Sequence, residues 1–336
     1  MIEIKEINER EIWENFLNKE KPNTFLQSWA WLEMNKTLGE KVVALGAFEN
    51  NELKGIASGI TVTAKRGNFL FSPHAPITKG GFSEEIYKEL LNELSNRAKK
   101  MGMVALRVSP LELENENTKK YFKTLGFRPS PIHMHAENMW ILNISENEDQ
   151  ILKGMRKTTR NLIRRAERDG VKVTISNENS DLEKFMKIYT ETAKREGFVA
   201  FSKDFLKAEF NSFVPRNGFV VLAEKDDVVL AGALITTFAN SGFYHQGAST
   251  HSKYPAAYLL HWEIIKELKR RGFQKYNFWG VSSDENKNHP WAGLSLFKKG
   301  FGGQQFDYLH AQDKPLRRAY WFTWTIESLR RWKRKY

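Results

Sequence analysis

The pattern of apolar and polar segments in the first half of this chain recurs in the second half. In each half, two apolar runs flank a short polar tip. They are followed by a third apolar run, an amphipathic segment, a further apolar run and a short segment that ends at a glycine. Two motif pairs mark the correspondence: Leu53-Lys54-Gly55 with Leu230-Ala231-Gly232, and Phe122-Lys123 with Phe297-Lys298. Their offsets are 177 and 175 residues, so the sequence predicts two copies of one α+β domain.

The predicted elements have the same order in both halves. The first half has strands at 42–48, 53–63 and 68–71, a helix from Ser83 to before Gly102, a strand at 103–108 and a helix at 119–125. The second has strands at 219–223, 228–237 and 241–247, a helix at 256–271, a strand at 275–279 and a helix at 293–299. This is the order of the acetyltransferase-like (GNAT) fold. We therefore predict a mixed α+β chain of two tandem GNAT domains, residues 1–144 and 145–336.

Basic residues are concentrated in two segments of a chain whose net charge is +12. Residues 314–336 hold eight Lys or Arg against one acid, and residues 153–168 hold seven against one. Such clusters favour a polyanionic partner, such as RNA, a nucleotide diphosphate or anionic lipid, over a solvated face. The absence of cysteine excludes disulfides, a thiol nucleophile and Cys-ligated metals. With no signal-peptide pattern and no long apolar run, we expect a cytoplasmic protein.

Coenzyme A is disfavoured as an acyl donor. In the GNAT fold a loop of the type Arg-x-x-Gly-x-Gly offers backbone N–H groups to the pyrophosphate. The corresponding segments here, residues 73–81 and 250–256, lack that glycine spacing, and Pro255 has no N–H to donate. An acyl-CoA-dependent N-acyltransferase with a diverged loop stays as an alternative.

Four stretches of the chain resemble the FemABX family, the Fem aminoacyltransferases that build the peptide cross-bridge of peptidoglycan. They are residues 24–31, 155–166, 276–280 and 293–303. The resemblance implies transfer of an amino acid from aminoacyl-tRNA, without a cofactor, to a stem-peptide amine of a UDP-linked or lipid-linked precursor. Larger members insert a helical hairpin in the second domain; here Gly170 leads directly into a predicted strand, so the chain resembles the compact members.

The resemblance places two catalytic candidates in the last stretch, Lys298 and Phe297. It implies that Lys298 lies near the aminoacyl end of the donor, where it would pair with a phosphate or the reacting carbonyl oxygen. Phe297 would give a stacking surface for a terminal base. The alternative is a surface lysine beside a core phenylalanine, since Lys123 occupies the equivalent place in the first half.

The middle basic cluster contains Arg156, Arg160 and Arg164, which recur every four residues and so share one helix face. A row of like charges destabilises a helix unless an anion binds it. The pattern is typical of a phosphate-binding surface or of a solvated face.

Further substrate-binding candidates are Lys36, Tyr244, Tyr254 and Arg195. Tyr244 alternates with Phe243, so the alternative for it is a buried structural role. The assignments of Lys36 and Arg195 follow the resemblance, whereas Trp29 and Trp31 on the same predicted helix as Lys36 are expected in the core. Asp284 and Glu285 are candidates to orient the acceptor amine, or else cap a loop. His133 and His135 fall on a predicted strand, but no third ligand is suggested, so we expect no metal site.

The C-terminal segment from residue 316 mixes tryptophans with basic residues. It suits an interfacial helix on anionic lipid, with peripheral contact at the inner face of the membrane, or a surface facing tRNA. Alternatively its tryptophans pack on the second domain. A non-catalytic relative that binds tRNA or membrane is the rival to an enzyme.

Overall fold

Two β-sheets organise the chain, and each belongs to a separate unit. The computed structural model describes residues 1–64, 67–282 and 291–334, with side chains to residue 332 in the last segment. The first unit comprises Met1–Asn138 and Phe306–Tyr336, and the second comprises Met139–Gln305.

The described elements alternate between strands and helices along the chain. The strands are β1 (Glu3–Glu6), β2 (Val42–Glu49), β3 (Glu52–Val62), β4 (Phe69–Pro73), β5 (Ile77–Thr78), β6 (Ala105–Ser109), β7 (Arg128–Pro129), β8 (Asn138–Asn143), β9 (Lys172–Ser176), β10 (Phe219–Lys225), β11 (Val228–Phe238), β12 (Ser241–Ser249), β13 (Lys275–Gly280), β14 (Gln304–Asp307) and β15 (Gln312–Pro315). The helices are α1 (Arg10–Lys19), α2 (Trp29–Thr37), α3 (Glu84–Lys100), α4 (Glu116–Thr124), α5 (Glu148–Gly154), α6 (Lys157–Arg168), α7 (Asn179–Glu196), α8 (Lys203–Phe213), α9 (Ala256–Arg270), α10 (Ala292–Lys299) and α11 (Tyr320–Arg334).

The two sheets have related strand orders. The first runs β1-β2-β3-β4-β6-β15-β7, with β5 beside β3, and the second runs β14-β8-β13-β12-β11-β10-β9. Each contains one parallel pair at its centre, β4 with β6 and β12 with β13. Their similar neighbours, a hairpin before the parallel pair and a helix between its strands, confirm the predicted repeat and fold class.

Alternation along β10 explains the two-sided core of the second unit. Phe219, Val221 and Ala223 pack in the cluster that includes α6 and α9. The residues between them, Val220 and Leu222, pack in a second cluster with α7 and α8. Because successive side chains of a strand point to opposite faces, this buried apolar run requires a helical layer on each face.

The division into units differs from the predicted domain boundaries. The predicted first domain ended at residue 144, whereas β8 pairs with β13 in the second sheet. The predicted second domain included the C-terminus, whereas β15 pairs with β6 and β7 in the first sheet. The C-terminal segment is held in the first unit by a buried ion cluster between residues that are distant in sequence. Nε of Arg107 on β6 lies 2.7 Å from Oδ1 of Asp313, and its Nη2 lies 2.6 Å from Oε2 of Glu327. These contacts hold the last segment in the first unit.

The C-terminal helix α11 therefore belongs to the first unit, and the alternative that its tryptophans pack on the second domain is wrong. Tyr320 at its start is buried, but Trp321 and Trp332 are exposed. Among the described residues, no helix is both long and apolar enough to cross a membrane.

Candidate functional site

The central parallel strands of the second unit pair over only part of their length. Ser241–Phe243 of β12 pairs with Lys275–Asn277 of β13, although β12 continues to Ser249 and β13 to Gly280. In the first unit, β4 and β6 pair over all five residues of each. The ends of β12 and β13 are therefore where the second unit can admit a ligand between its strands.

Two backbone irregularities lie at the point where this pairing ends. In β12 the register against β11 shifts so that His245 is an extra, bulged residue between Tyr244 and Gln246. In β13 the register against β8 shifts after Asn277. Trp279 has a φ of +65°, which is rare for a large side chain. Its backbone N–H donates to Asn277 Oδ1 at 2.8 Å, which supports this conformation.

Lys298 is directed at this strand end. It lies near the end of α10, is 4% exposed, and donates a hydrogen bond from Nζ to the carbonyl oxygen of Gly280 at 2.6 Å. Its Nζ is also 5.8 Å from the centre of the Tyr244 ring. Burial lowers the pKa of Lys298 to about 7, because the ammonium loses its hydration. The predicted alternative of a surface lysine does not describe this side chain.

A buried aromatic cluster surrounds Lys298. His261 on α9 lies with its ring 4.5 Å from that of Tyr244, and its Nδ1 is 2.7 Å from the hydroxyl of Tyr276. Burial, with a smaller effect of the Lys298 charge, lowers the pKa of His261 to about 3. Burial raises the pKa values of Tyr244 and Tyr276. At neutral pH the cluster therefore contains no second charge to compete with Lys298.

Phe297 packs into the same cluster. Its ring meets that of Tyr258 edge-on at 4.8 Å and that of His261 at 5.2 Å. The residue is half-buried, so part of its ring stays accessible. The predicted stacking role of Phe297 stays a prediction.

The glycine-rich turn after Lys298 is a close-packing device. Gly303 has a φ of +98°, and a Cβ there would lie 2.5 Å from the carbonyl oxygen of Ile141 on β8. The indole of Trp140 donates to the carbonyl oxygen of Gly302 at 2.7 Å. The turn anchors the end of α10 to β8 and so fixes the position of Lys298.

The three arginines of the predicted ladder have different surroundings. Arg160 donates to the carbonyl oxygens of Leu152, Lys153 and Met155, and so caps the end of α5. Arg156 is the N-cap residue of α6 and has an exposed side chain, as has Arg164. The pair available for phosphate is thus Arg156 and Arg164; that role stays a prediction.

Tyr254 and Arg195 lie away from the described contacts of Lys298. The Nζ atoms of Lys225 and Lys253 lie 5.3 and 5.2 Å from the centre of the Tyr254 ring. Arg195 donates to the carbonyl oxygen of Ser249 at 2.7 Å and so supports the end of β12. Their substrate contacts stay predictions.

The remaining candidates are Lys36, the two histidines His133 and His135, and the two acids Asp284 and Glu285. Lys36 belongs to the first unit, where its exposed side chain lies 5.5 Å from the Trp29 ring; Trp29 and Trp31 are buried as expected. His135 lies in a bend and His133 in irregular structure, so the predicted strand there is wrong. No group of three metal-ligating side chains occurs within the described ranges. Asp284 and Glu285 lie outside the described residues.

Sequence reasoning missed a second buried polar pair next to the bulge. His245 Nδ1 lies 2.6 Å from Glu209 Oε1 on α8, and the Gln246 amide donates to the other carboxylate oxygen at 3.2 Å. His261 was also missed, although it stands within an apolar helical run, which was a visible signal. Nothing local marks the Glu209–His245 pairing, because the two residues are far apart in sequence.

Comparison with known proteins gives this geometry its context. The FemAB family model matches residues 8–226 and 221–327, which together cover most of the chain. The chain belongs to the FemAB family. Two relatives come from Staphylococcus epidermidis. Aminoacyltransferase FemB is 29% identical over 114 residues, 32% of this chain and 27% of that protein. A lipid II:glycine glycyltransferase is 21% identical over 87% of this chain and 89% of its own length.

Solved structures place the FemAB chain among tandem folds. A crystal structure of FemX superposes with a TM-score of 0.82 at 16% identity, covering 97% of this chain and all of that one. A tandem GNAT protein from the clavulanic acid pathway gives 0.61 at 9% identity, over 94% and 99%. These likenesses show the predicted fold. The chain spans about a quarter of the length of the FemB relative that it matches.

Proposed function

We propose that this FemAB chain is an aminoacyltransferase that moves an amino acid from aminoacyl-tRNA to a stem-peptide amine of a peptidoglycan precursor. The observation that carries this proposal is the placement of Lys298: a buried amine, held by the Gly280 carbonyl, at the end of two strands whose pairing has stopped. A relative named for glycyl transfer to lipid II favours the lipid-linked acceptor over the UDP-linked one.

The proposed reaction requires the protein to position the two substrates and to stabilise negative charge. The acceptor amine attacks the carbonyl carbon of the aminoacyl ester; a C–N bond forms and the C–O bond to the ribose breaks. The nitrogen loses a proton, and the departing ribose oxygen gains one. A protonated Lys298 would stabilise the oxyanion that develops between these steps, or a nearby donor phosphate. The ester is already activated, so no protein nucleophile and no cofactor are needed.

The loop before α9 supports tRNA over coenzyme A as donor. The backbone N–H groups of Tyr254 and Ala256 donate within the loop, to Ser252 Oγ and the Tyr254 carbonyl, and Pro255 has none. Residues 254–256, next to the N-terminus of α9, therefore offer no free N–H group to a pyrophosphate. Exposed Arg156 and Arg164 instead suit the phosphates of a longer polyanion.

The test is a transfer assay with a pool of radiolabelled aminoacyl-tRNAs and with UDP-linked pentapeptide and lipid-linked muropeptide as parallel acceptors. We expect label in the lipid-linked acceptor, and a loss of about 100-fold or more in Lys298→Met, which keeps the apolar stem but removes the charge. Lys299→Met is the matched control, because its Nζ instead lies near the Trp140 ring.

Two outcomes would overturn the proposal. One is no transfer to either acceptor from tRNA whose charging has been verified. The other is acylation from an acyl-CoA that depends on Lys298, which would assign the site to the alternative reaction.

A further inference from the structure

The helix α11 buries charged and polar side chains and exposes large apolar ones, the reverse of an ordinary surface helix. Toward the first unit it presents buried Thr323 and Glu327, together with the buried ring of Tyr320. Glu327 pairs there with Arg107, and the Tyr320 hydroxyl donates to Asp313 at 3.2 Å. Three polar groups of this helix, those of Tyr320, Thr323 and Glu327, are thus buried inside the unit.

Four large apolar side chains dominate the outward face of α11, which also carries the exposed Thr325. Trp321, Phe322, Leu329 and Trp332 are 48%, 66%, 61% and 82% exposed. At 100° per residue they fall within one third of the helix circumference, and they extend over about 17 Å of its length. Large exposed side chains that share one face mark an interaction surface, whereas isolated ones do not.

Cations lie beside this face. Arg128 on β7 stacks on Trp321 at 4.5 Å and on Trp324 at 5.5 Å. Among residues 1–64, 67–282 and 291–334, Arg128 has no carboxylate partner. It lines a groove of about 530 Å³ together with Ser130, Trp324, Arg331 and Trp332. The groove therefore offers cations at the edge of an apolar strip.

We propose that α11 and this groove dock the protein on an anionic membrane surface. The apolar strip would enter the interface between headgroups and acyl chains, where tryptophan is favoured, while Arg128 and Arg331 contact lipid phosphates. Charge complementarity selects this occupant: the strip itself is uncharged and includes an aliphatic Leu329, and the cations flank it. A nucleic acid would require cations on the face itself.

This inference goes beyond the proposed reaction and is testable without donor or acceptor. Sedimentation with vesicles of phosphatidylcholine, alone or mixed equally with phosphatidylglycerol, gives partition coefficients. We expect binding to the mixed vesicles that weakens with salt. The partition coefficient of the triple variant Phe322→Ser/Leu329→Ser/Trp332→Ser should fall by at least about tenfold. That of Arg128→Gln should fall about fivefold, and only on the mixed vesicles.

The matched control is Val199→Ser/Val228→Ser, which removes two exposed apolar side chains of the second unit and should partition as the unaltered protein does. Thermal melting verifies that each variant is folded. Equal partitioning of the triple variant, or no binding to mixed vesicles at low salt, would overturn the proposal. Two further results would also overturn it. One is that the unaltered protein is a dimer and the triple variant a monomer; the other is that the triple variant loses affinity for tRNA but not for vesicles.

Discussion

Lys298 is a side chain whose charge depends on its surroundings. Burial lowers its pKa to about 7, so charged and neutral forms coexist near neutral pH in the free protein. In the proposed reaction, an anion that enters the site would favour the charged form of Lys298. Without an anion, the neutral form avoids much of the free-energy cost of a buried charge.

This shift predicts an unusual pH dependence of catalysis. A lysine is protonated below its pKa, so the contribution of its charge to kcat/KM should fall about tenfold per pH unit above about pH 7. The measurement is kcat/KM for the donor between about pH 6 and 9, divided at each pH by that of Lys298→Met. The division cancels the ionisation of the acceptor amine, which both proteins share. A ratio that is constant over this range would contradict the role of the ammonium.

At the scale of elements, the position of α10 depends on backbone contacts that a Cβ would break. Gly303 lies against the carbonyl of Ile141 on β8, and the Arg156 N–H donates to the Gly300 carbonyl at 2.9 Å. These contacts join the turn after α10 to β8 and to the start of α6.

We therefore predict that Gly303→Ala lowers the free energy of unfolding by more than the strain of placing an alanine in a left-handed backbone conformation. Gly272→Ala is the comparison, because Gly272 has a φ of +86° with nothing within 4 Å of an added Cβ. That change should cost about 1 kcal/mol, and Gly303→Ala at least about 2 kcal/mol more, as the backbone must shift. Urea denaturation of both variants tests this; equal losses would mean that the turn accommodates a side chain.

At the scale of the whole molecule, the chain leaves the first unit at residue 138 and returns at residue 306. The returning strand β15 lies between β6 and β7. Its Asp313, with Glu327 of α11, encloses Arg107, and all three side chains are buried. The first unit thus depends on residues at both ends of the sequence.

Removal of Arg107 should expose this dependence. Arg107→Met removes the cation that faces two buried carboxylates, so we expect a loss of about 3–5 kcal/mol of unfolding free energy. The triple variant Arg107→Met/Asp313→Leu/Glu327→Leu should regain most of it, because apolar side chains can replace a buried ion cluster. Denaturant unfolding monitored by circular dichroism compares them. A stable single variant would show that the cluster does not hold the C-terminal segment.

Local patterns predicted the elements and their order well. The repeat, the helices around 256–271 and 293–299, and the GNAT order were all evident, because the 3.6- and 2-residue periods of apolar residues are properties of neighbouring positions. Lys298 was found by family resemblance. The prediction of a strand at His133 and His135 was wrong, because alternation over so short a stretch is a weak indicator of a strand.

The amino-acid sequence by itself determined that this chain forms two α+β copies, and that its basic and aromatic residues gather near the end. Only the tertiary structure decided that β8 and β15 join sheets outside their predicted domains, that Lys298 is buried against the Gly280 carbonyl, and that α11 exposes Trp321 and Trp332. The physical reason is distance along the chain. Strand pairing, burial and pKa arise from residues that are remote in sequence, and local periodicity carries no record of them.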